Sequence, residues 1–228
     1  MFLSDPTTFR RTVAGVAMIA APLVFVLAEL LHGHFENDPG AYLDVISSNT
    51  GRWYAAHALV LAALVLAVPA YLGVARLLDE KKSALANLGR LALIPGVIAL
   101  TAFVGMELVA WQMAQLSTER ATMVTLWENT AENAGIAPLI LVALLFPVAW
   151  LLAGIGLYSA RIVPLWSAAL VGLAQMVGIV GELAEAPKWL AVAAQVGFAV
   201  GLVPIGVRLL RGSADLRAPQ TRTASATG

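Results

Sequence analysis

The chain has 228 residues, of which 60% are hydrophobic and only 12% are charged, and it contains no cysteine. Soluble domains carry about 25% charged residues, so the composition excludes an ordinary soluble protein, and the lack of cysteine excludes disulfides, thiolate metal sites and thiol catalysis. A mean hydropathy of +0.82 and recurring apolar runs of roughly 20 residues predict an integral membrane protein, for which we expect the lipid bilayer and not nucleic acid as a partner.

Six apolar runs predict an all-α fold, a polytopic membrane helical bundle with six transmembrane helices. They cover residues 12–32, 53–78, 87–116, 135–160, 162–185 and 188–210. The very short connections after the fourth and fifth runs require tight antiparallel hairpins. Residues 1–212 are therefore predicted to form the transmembrane domain. Residues 213–228 are rich in Ser, Thr and Ala without an apolar period, and predict a disordered cytoplasmic tail.

Two shorter amphipathic helices are predicted in the outer loops. Asp38 followed by Pro39 is typical of a helix start, and Tyr42 lies on the apolar face that follows. Met123 and Trp127 indicate a second such helix. Both are expected to lie on the membrane surface, where they would cover the outer end of the bundle.

The positive charges predict the orientation. With a cytoplasmic N-terminus, the inner segments hold 11 of the 14 Lys and Arg residues, and the outer segments keep Arg52, Arg120 and Lys188. This asymmetry follows the positive-inside rule. It places both termini in the cytoplasm of a multi-pass protein in the cell membrane.

Each helix predicted to run outward begins with an arginine and carries a glutamate late in its length. The two residues are 17 to 21 positions apart in the pairs Arg11 with Glu29, Arg90 with Glu107, and Arg161 with Glu182. At about 1.5 Å per residue this corresponds to roughly 26 to 32 Å, close to the hydrocarbon thickness of a bilayer. The three glutamates are therefore predicted at the outer boundary of the membrane.

These glutamates need compensation, because the C-terminal end of a helix carries partial negative charge. Glu107 is the strongest candidate, since its neighbours in sequence are apolar and ionisable groups inside a membrane are functional-site hypotheses by default. Glu29, Glu182 and His57 are predicted to join it as the catalytic groups of an outer pocket. Further lining residues are predicted at the same depth, whereas His34 is assigned to the loop; the lining residues are Trp111, Gln112, His32 and Glu185.

Three functions remain open from this pattern. The first is binding of a lipophilic or cationic small molecule, with possible acid–base catalysis such as isoprenoid cyclisation, in which a protonated glutamate acts as general acid and carboxylates stabilise a developing cation. The second is a transporter of protons or divalent metal ions, or a metal-dependent membrane enzyme. The third is a structural partner subunit whose polar groups only fix helix packing.

A metal site is one of these alternatives. Glu29 and His32 have the Glu-x-x-His spacing found in dimetal carboxylate bundles, although no second such motif occurs. The candidate ligands are Glu29, His32, His57 and Glu107, and this donor set suits Zn, Mn or Fe. The cofactor is left unassigned.

Gly197 and Gly201 form a small-xxx-small pair that can seat another helix closely. The second helix can belong to the same chain or to another copy. A homo-oligomer through this pair is therefore one possibility.

Two stretches, DPGAYLDVISSNTGRWYAAHALVLA after the first predicted span and RIVPLWSAALVGLA at the start of the fifth, resemble an uncharacterised family of bacterial six-helix membrane proteins, a domain of unknown function. The resemblance implies the six-helix topology. It transfers no catalytic residue to this chain.

Overall fold

A computed structural model describes residues 5–33, 36–131, 133–184 and 186–212, and within these ranges it leaves the side chains of Ser117, Glu182 and Leu183 undescribed. All regular elements in this part of the chain are helical, which confirms the all-α prediction. In chain order the α-helices are α1 (Pro6–Leu31), α2 (Pro39–Ser48), α3 (Thr50–Leu78), α4 (Ser83–Met113), α5 (Arg120–Ala131), α6 (Ala137–Ala143), α7 (Leu145–Ser159), α8 (Leu165–Leu183) and α9 (Lys188–Leu210). The predicted tail lies outside the described residues.

Five helical segments are long and apolar enough to cross a membrane, as an integral membrane protein requires. They are Pro6–Leu31, Thr50–Leu78, Ser83–Met113, Ala134–Ser159 and Lys188–Leu210. The predicted fifth span is shorter than expected: α8 is apolar over Leu165–Gly181. The count of six spans and the orientation stay predictions.

Local sequence explains the ends of several helices. Pro6 stands in the first turn of α1, where no N–H is needed, and the Asp5 carboxylate caps the helix by accepting from the amide of Thr7. Asp38 caps α2 in the same way through the amide of Ala41, at 2.7 Å. α8 begins later than expected, because the chain first turns at Arg161 with a φ of 56°.

The predicted fourth span is interrupted at Leu144, between α6 and α7. Pro147 has no N–H to donate to the carbonyl of Ala143 four residues earlier, so the helical hydrogen-bond ladder is broken at this position. Helices α6 and α7 nevertheless follow one another as a single apolar segment, Ala134–Ser159, that is long enough to cross a membrane.

The long helices are arranged as a closed ring. Around it, α1 packs on α3, α3 on α4, α4 on α7, α7 on α8, α8 on α9, and α9 returns to α1. Helices α2 and α5 lie over the end of the ring where α1 and α4 finish, and we call this end of the ring the capped end. The end that contains the hairpin between α3 and α4 is called the opposite end.

A glycine lies at the closest approach of every pair of neighbours in this ring. A side chain there would run into the facing helix, so the absence of a Cβ allows each pair to pack closely; the six glycines are Gly73, Gly89, Gly96, Gly154, Gly201 and Gly206. Of the pair considered for oligomerisation, both glycines face α8 of the same chain: Gly201 lies against Ser167 and Leu170, and Gly197 against Leu170.

Aromatic side chains fill the centre of the ring. Trp150 packs edge-on against Phe198 at 4.7 Å and against Tyr71 at 5.2 Å between ring centroids. All three are fully buried. This packed centre leaves the capped end as the region where the predicted site residues gather.

Candidate functional site at the capped end

Glu107 has a partner that no sequence pattern predicted. It lies in α4, partly buried, and its carboxyl group accepts a hydrogen bond from the hydroxyl of Tyr42 in α2. The cap of Asp38 fixes the start of α2, and the helical period then turns Tyr42 towards the bundle, where it is 1% exposed. A glutamate of α4 and the tyrosine hydroxyl of α2 thus form one polar pair.

The pair is surrounded by indole rings. The ring of Tyr42 is stacked on Trp127 of α5, with centroids 5.3 Å apart and planes inclined by 8°. On another side it meets Trp53 of α3 edge-on at 5.5 Å. Trp53 and Trp127 are both buried, so the polar pair sits in an aromatic setting.

A polar contact ties α5 to α2. The guanidinium of Arg120 donates to the carboxylate of Asp44 and, at 2.6 Å, to the carbonyl of Gly40. Because the side chain of Asp44 is 73% exposed, the ion pair itself contributes little free energy. It sets the position of α5, and with it the position of Trp127 above Tyr42.

The two predicted histidines do come together. The rings of His32 and His57 lie 5.0 Å apart, and each also contacts Trp53, at 5.0 and 4.6 Å. Each Nδ1 is 2.9 Å from a backbone carbonyl, of Gly33 for His32 and of Trp53 for His57. Since a carbonyl only accepts, Nδ1 carries the proton and Nε2 keeps its lone pair in the neutral imidazoles.

His32, which follows the last residue of α1, resists protonation. Burial lowers its pKa to about 4, and the neighbouring His57, Lys188 and Arg52 act in the same direction. The contact with Gly33 opposes this shift only in part. At neutral pH His32 is therefore an uncharged group.

Glu29 interacts with Lys188, which the sequence predicted only as an outer-loop residue. Lys188 at the start of α9 is close enough to interact favourably with the Glu29 carboxylate. The interaction follows from the closed ring, which puts the end of α1 next to the start of α9. Glu29 and Glu107 therefore have different partners, Lys188 and Tyr42.

The remaining predicted site residues have other positions. Trp111 donates from Nε1 to the carbonyl of Thr50 at 2.9 Å and so supports the start of α3, while Gln112 is exposed. Glu182 is part of α8, but its side chain lies outside the description, as does all of Glu185. Among the described residues, no three His, Cys, Asp or Glu side chains gather in a way that can hold a metal ion.

Sequence reasoning missed two members of this cluster as site residues. Trp53 was not predicted as a site residue, and Tyr42 was assigned only to the apolar face of a surface helix. One signal was available for Tyr42: it lies on the apolar face of a capped helix predicted to cover the site. The pairing of Tyr42 with Glu107 could not be predicted from sequence, because 65 residues separate the two.

Comparison with known proteins gives no relative: no family model, no curated protein and no solved structure matches the chain.

Proposed function

We propose that the chain is a six-span protein of the cell membrane that binds a lipophilic cation at its capped end. In this proposal the Glu107 carboxylate is the anionic anchor, with the Tyr42 hydroxyl as its hydrogen-bond donor. The observation that carries the proposal is the placement of this pair among indole rings. Aromatic faces and a carboxylate together are the chemistry that recognises organic cations.

The surroundings of Glu107 support a cation over an anion. The ring of Tyr42 contacts two π systems, Trp53 and Trp127, which attract cations through their negative faces. The cations described at the capped end have other partners: Arg120 is paired with Asp44, Lys188 interacts with Glu29, and Arg52 donates to the carbonyl of Leu31. A bound cation would therefore compensate Glu107 without displacing an existing ion pair.

Two probes of equal size and opposite charge test this function. Tetraphenylphosphonium should raise the melting temperature of the purified protein in detergent, and tetraphenylborate should not. Glu107→Gln should abolish the effect of the cation, whereas Glu128→Gln, which removes an exposed carboxylate from α5 at the same end, should keep it. Equal effects of both probes, or an undiminished effect in Glu107→Gln, would refute cation binding at this site.

Isoprenoid cyclisation remains a separate prediction, which requires a neutral isoprenoid and a protonated Glu107. Glu107 would donate its proton to a double bond, the π faces of Trp53 and Trp127 would stabilise the resulting carbocation, and the cyclic product would form when the carbocation returns a proton to the Glu107 carboxylate. Incubation with a neutral linear isoprenoid and analysis for cyclic products tests it. A product formed by wild type and absent with Glu107→Gln is the expected result.

The structural-subunit hypothesis also has an observation in its favour. It requires Glu107 and His57 to be hydrogen-bonded with no cavity around them, and the hydrogen bonds are present, to Tyr42 and to the Trp53 carbonyl. It differs from the proposed function in one respect, because it expects Glu107→Gln to change stability and no probe to bind. The transport and metal hypotheses stay predictions, which elemental analysis of the purified protein tests.

A further inference from the structure

Helix α9 has a single exposed stripe along its whole length. The exposed positions recur every three or four residues, so they lie on one face, directed away from α1 and α8. From the capped end to the opposite end the stripe contains Trp189, Ala193, Val196, Val200, Pro204, Arg208 and Arg211.

The length of this stripe matches the hydrocarbon layer of a membrane. Nineteen positions separate Trp189 from Arg208, which is about 28 Å of helix, against about 30 Å of hydrocarbon. Tryptophan at one end is a typical interfacial residue. Arg208 and Arg211 are therefore at the level of the lipid headgroups at the opposite end.

A third guanidinium approaches from α1. The α1–α9 contact is close, because Gly15 lies against Leu210 and the carbonyl of Gly206. One turn before Gly15, the guanidinium of Arg11 reaches the backbone of Gly212, with Nη1 3.2 Å from the place a Cβ would take. The Arg11 side chain thus ends beside the last turn of α9, next to Arg211.

These arginines are not neutralised by ion pairs within the described part of the chain. The two ion pairs found there involve Arg90 and Arg120. Asp5, at the start of α1, caps this helix by accepting from the amide of Thr7 and the hydroxyl of Thr8. It interacts only weakly with Arg11, as the last of the effects acting on its carboxylate.

We infer that the α1–α9 seam at the opposite end binds the headgroup of an anionic phospholipid. Its phosphate would lie between the guanidiniums of Arg208, Arg211 and Arg11, and one acyl chain would follow Val196, Val200 and Pro204. Guanidinium groups bind phosphate oxygens in a bidentate manner. This inference does not depend on the ligand proposed for the capped end.

The alternative explanation is the general excess of positive charge on the cytoplasmic side of membrane proteins. That excess attracts anionic lipids without a defined site. The exposed cations Arg76 and Lys82 lie at the same end, and Arg76 also terminates an exposed apolar stripe, on α3. Removing two positive charges from α9, and in a second variant removing Arg76 and Lys82, distinguishes a lipid site on α9 from general attraction by the positive charge of this end.

Native mass spectrometry of the full-length protein in detergent tests the site, with phosphatidylglycerol and phosphatidylcholine of identical acyl chains as probes. Wild type should retain phosphatidylglycerol preferentially. Arg208→Gln/Arg211→Gln should weaken this retention by at least about tenfold, since one cation near a membrane surface contributes about fivefold. Arg76→Gln/Lys82→Gln should change it little. The matched pair also controls for folding, because all four positions are exposed.

Three outcomes would overturn the inference: no preference of wild type for the anionic lipid, equal losses in the two double variants, or displacement of the lipid by sn-glycerol 3-phosphate at the same concentration. The last result would indicate a site for soluble anions, because glycerol phosphate has no chain to contact Val196 and Val200. Retention of the preference in Arg208→Gln/Arg211→Gln would place the lipid elsewhere.

Discussion

Tyr42 and Glu107 form a hydrogen bond across 65 residues of sequence, and this bond connects the short helix α2 to α4, one of the long apolar helices of the ring. Tyr42 is also the residue through which Trp127 of α5 and Trp53 of α3 are joined. The covering helices and the bundle are thus linked at one side chain. Changes at Tyr42 should therefore affect both.

The first prediction concerns this bond. Tyr42→Phe should lower the free energy of unfolding by about 1 to 3 kcal/mol, because it leaves the partly buried Glu107 carboxyl group without its donor. The double variant Tyr42→Phe/Glu107→Leu should lose less free energy of unfolding than the two single variants, Tyr42→Phe and Glu107→Leu, lose together. The reason is that the double variant leaves no unpaired polar group. Chemical unfolding in mixed micelles measures the four proteins, and strict additivity would contradict a direct bond.

The second prediction concerns pH. The pKa of His32 is lowered to about 4 in the folded protein, against about 6.5 in an unfolded chain. Between these values the unfolded state takes up a proton that the folded state does not, so stability should fall as the pH decreases from about 6.5 to about 4, by about 3 kcal/mol at most. His32→Gln should be less sensitive to pH in this range.

Unfolding curves at closely spaced pH values test the effect of His32. His57, Lys188, Arg52 and Glu29 remain in both proteins, so the difference between wild type and His32→Gln isolates the one imidazole. Parallel stability profiles of the two proteins below pH 6.5 would mean that His32 is protonated as readily when folded as when unfolded.

The third prediction compares two glycines of α4. A methyl group on Gly89 would overlap the hydroxyl of Tyr71, whereas Gly105 has open space around its Cα. Gly89→Ala should therefore cost about 1 to 3 kcal/mol through overpacking. Gly105→Ala should be neutral or stabilising by up to about 1 kcal/mol, because alanine favours a helix. Thermal unfolding of both variants, made in parallel, tests the α3–α4 contact.

The fourth prediction concerns the attachment of α5. Arg120→Ala removes the contacts with Asp44 and Gly40. Hydrogen exchange should become faster in residues 120–131, while global stability changes by less than about 1 kcal/mol, as for other exposed ion pairs. Arg90→Ala breaks the comparable pair with Asp79 at the opposite end and should leave α5 unaffected. If α5 exchanges as slowly as in wild type, other contacts hold it.

Sequence predicted the elements of this fold better than their boundaries. Asp38 and Pro39 predicted α2 because caps act locally. The seven prolines of the predicted spans were not distinguishable: Pro22, Pro69, Pro95 and Pro204 lie within continuous helices, whereas Pro138 lies in the first turn of α6, a break precedes Pro147 and α8 begins after Pro164. Whether a helix continues through proline depends on neighbouring helices that re-satisfy the freed carbonyl, and the sequence of one helix does not contain that information.

The end of the bundle at which the glutamates lie was predictable, but their partners were not. The spacing from arginine to glutamate placed Glu29 and Glu107 towards one end of the bundle, and the structure has them there. Their partners, Lys188 and Tyr42, come from elements distant in sequence. Periodicity identifies which face of a helix is buried, but the order of helices around the ring decides what that face meets.

The closed ring has a consequence for biosynthesis. Because α9 packs directly on α1, the first and last long helices share a seam, and Gly15 and Gly206 meet there backbone to backbone. During translation α1 can pair with α3 early, but its second flank stays open to lipid until α9 has been synthesised and inserted. That flank of α1 should therefore be accessible to chaperones and membrane proteases until α9 is inserted. In nascent chains arrested before α9 it should stay accessible.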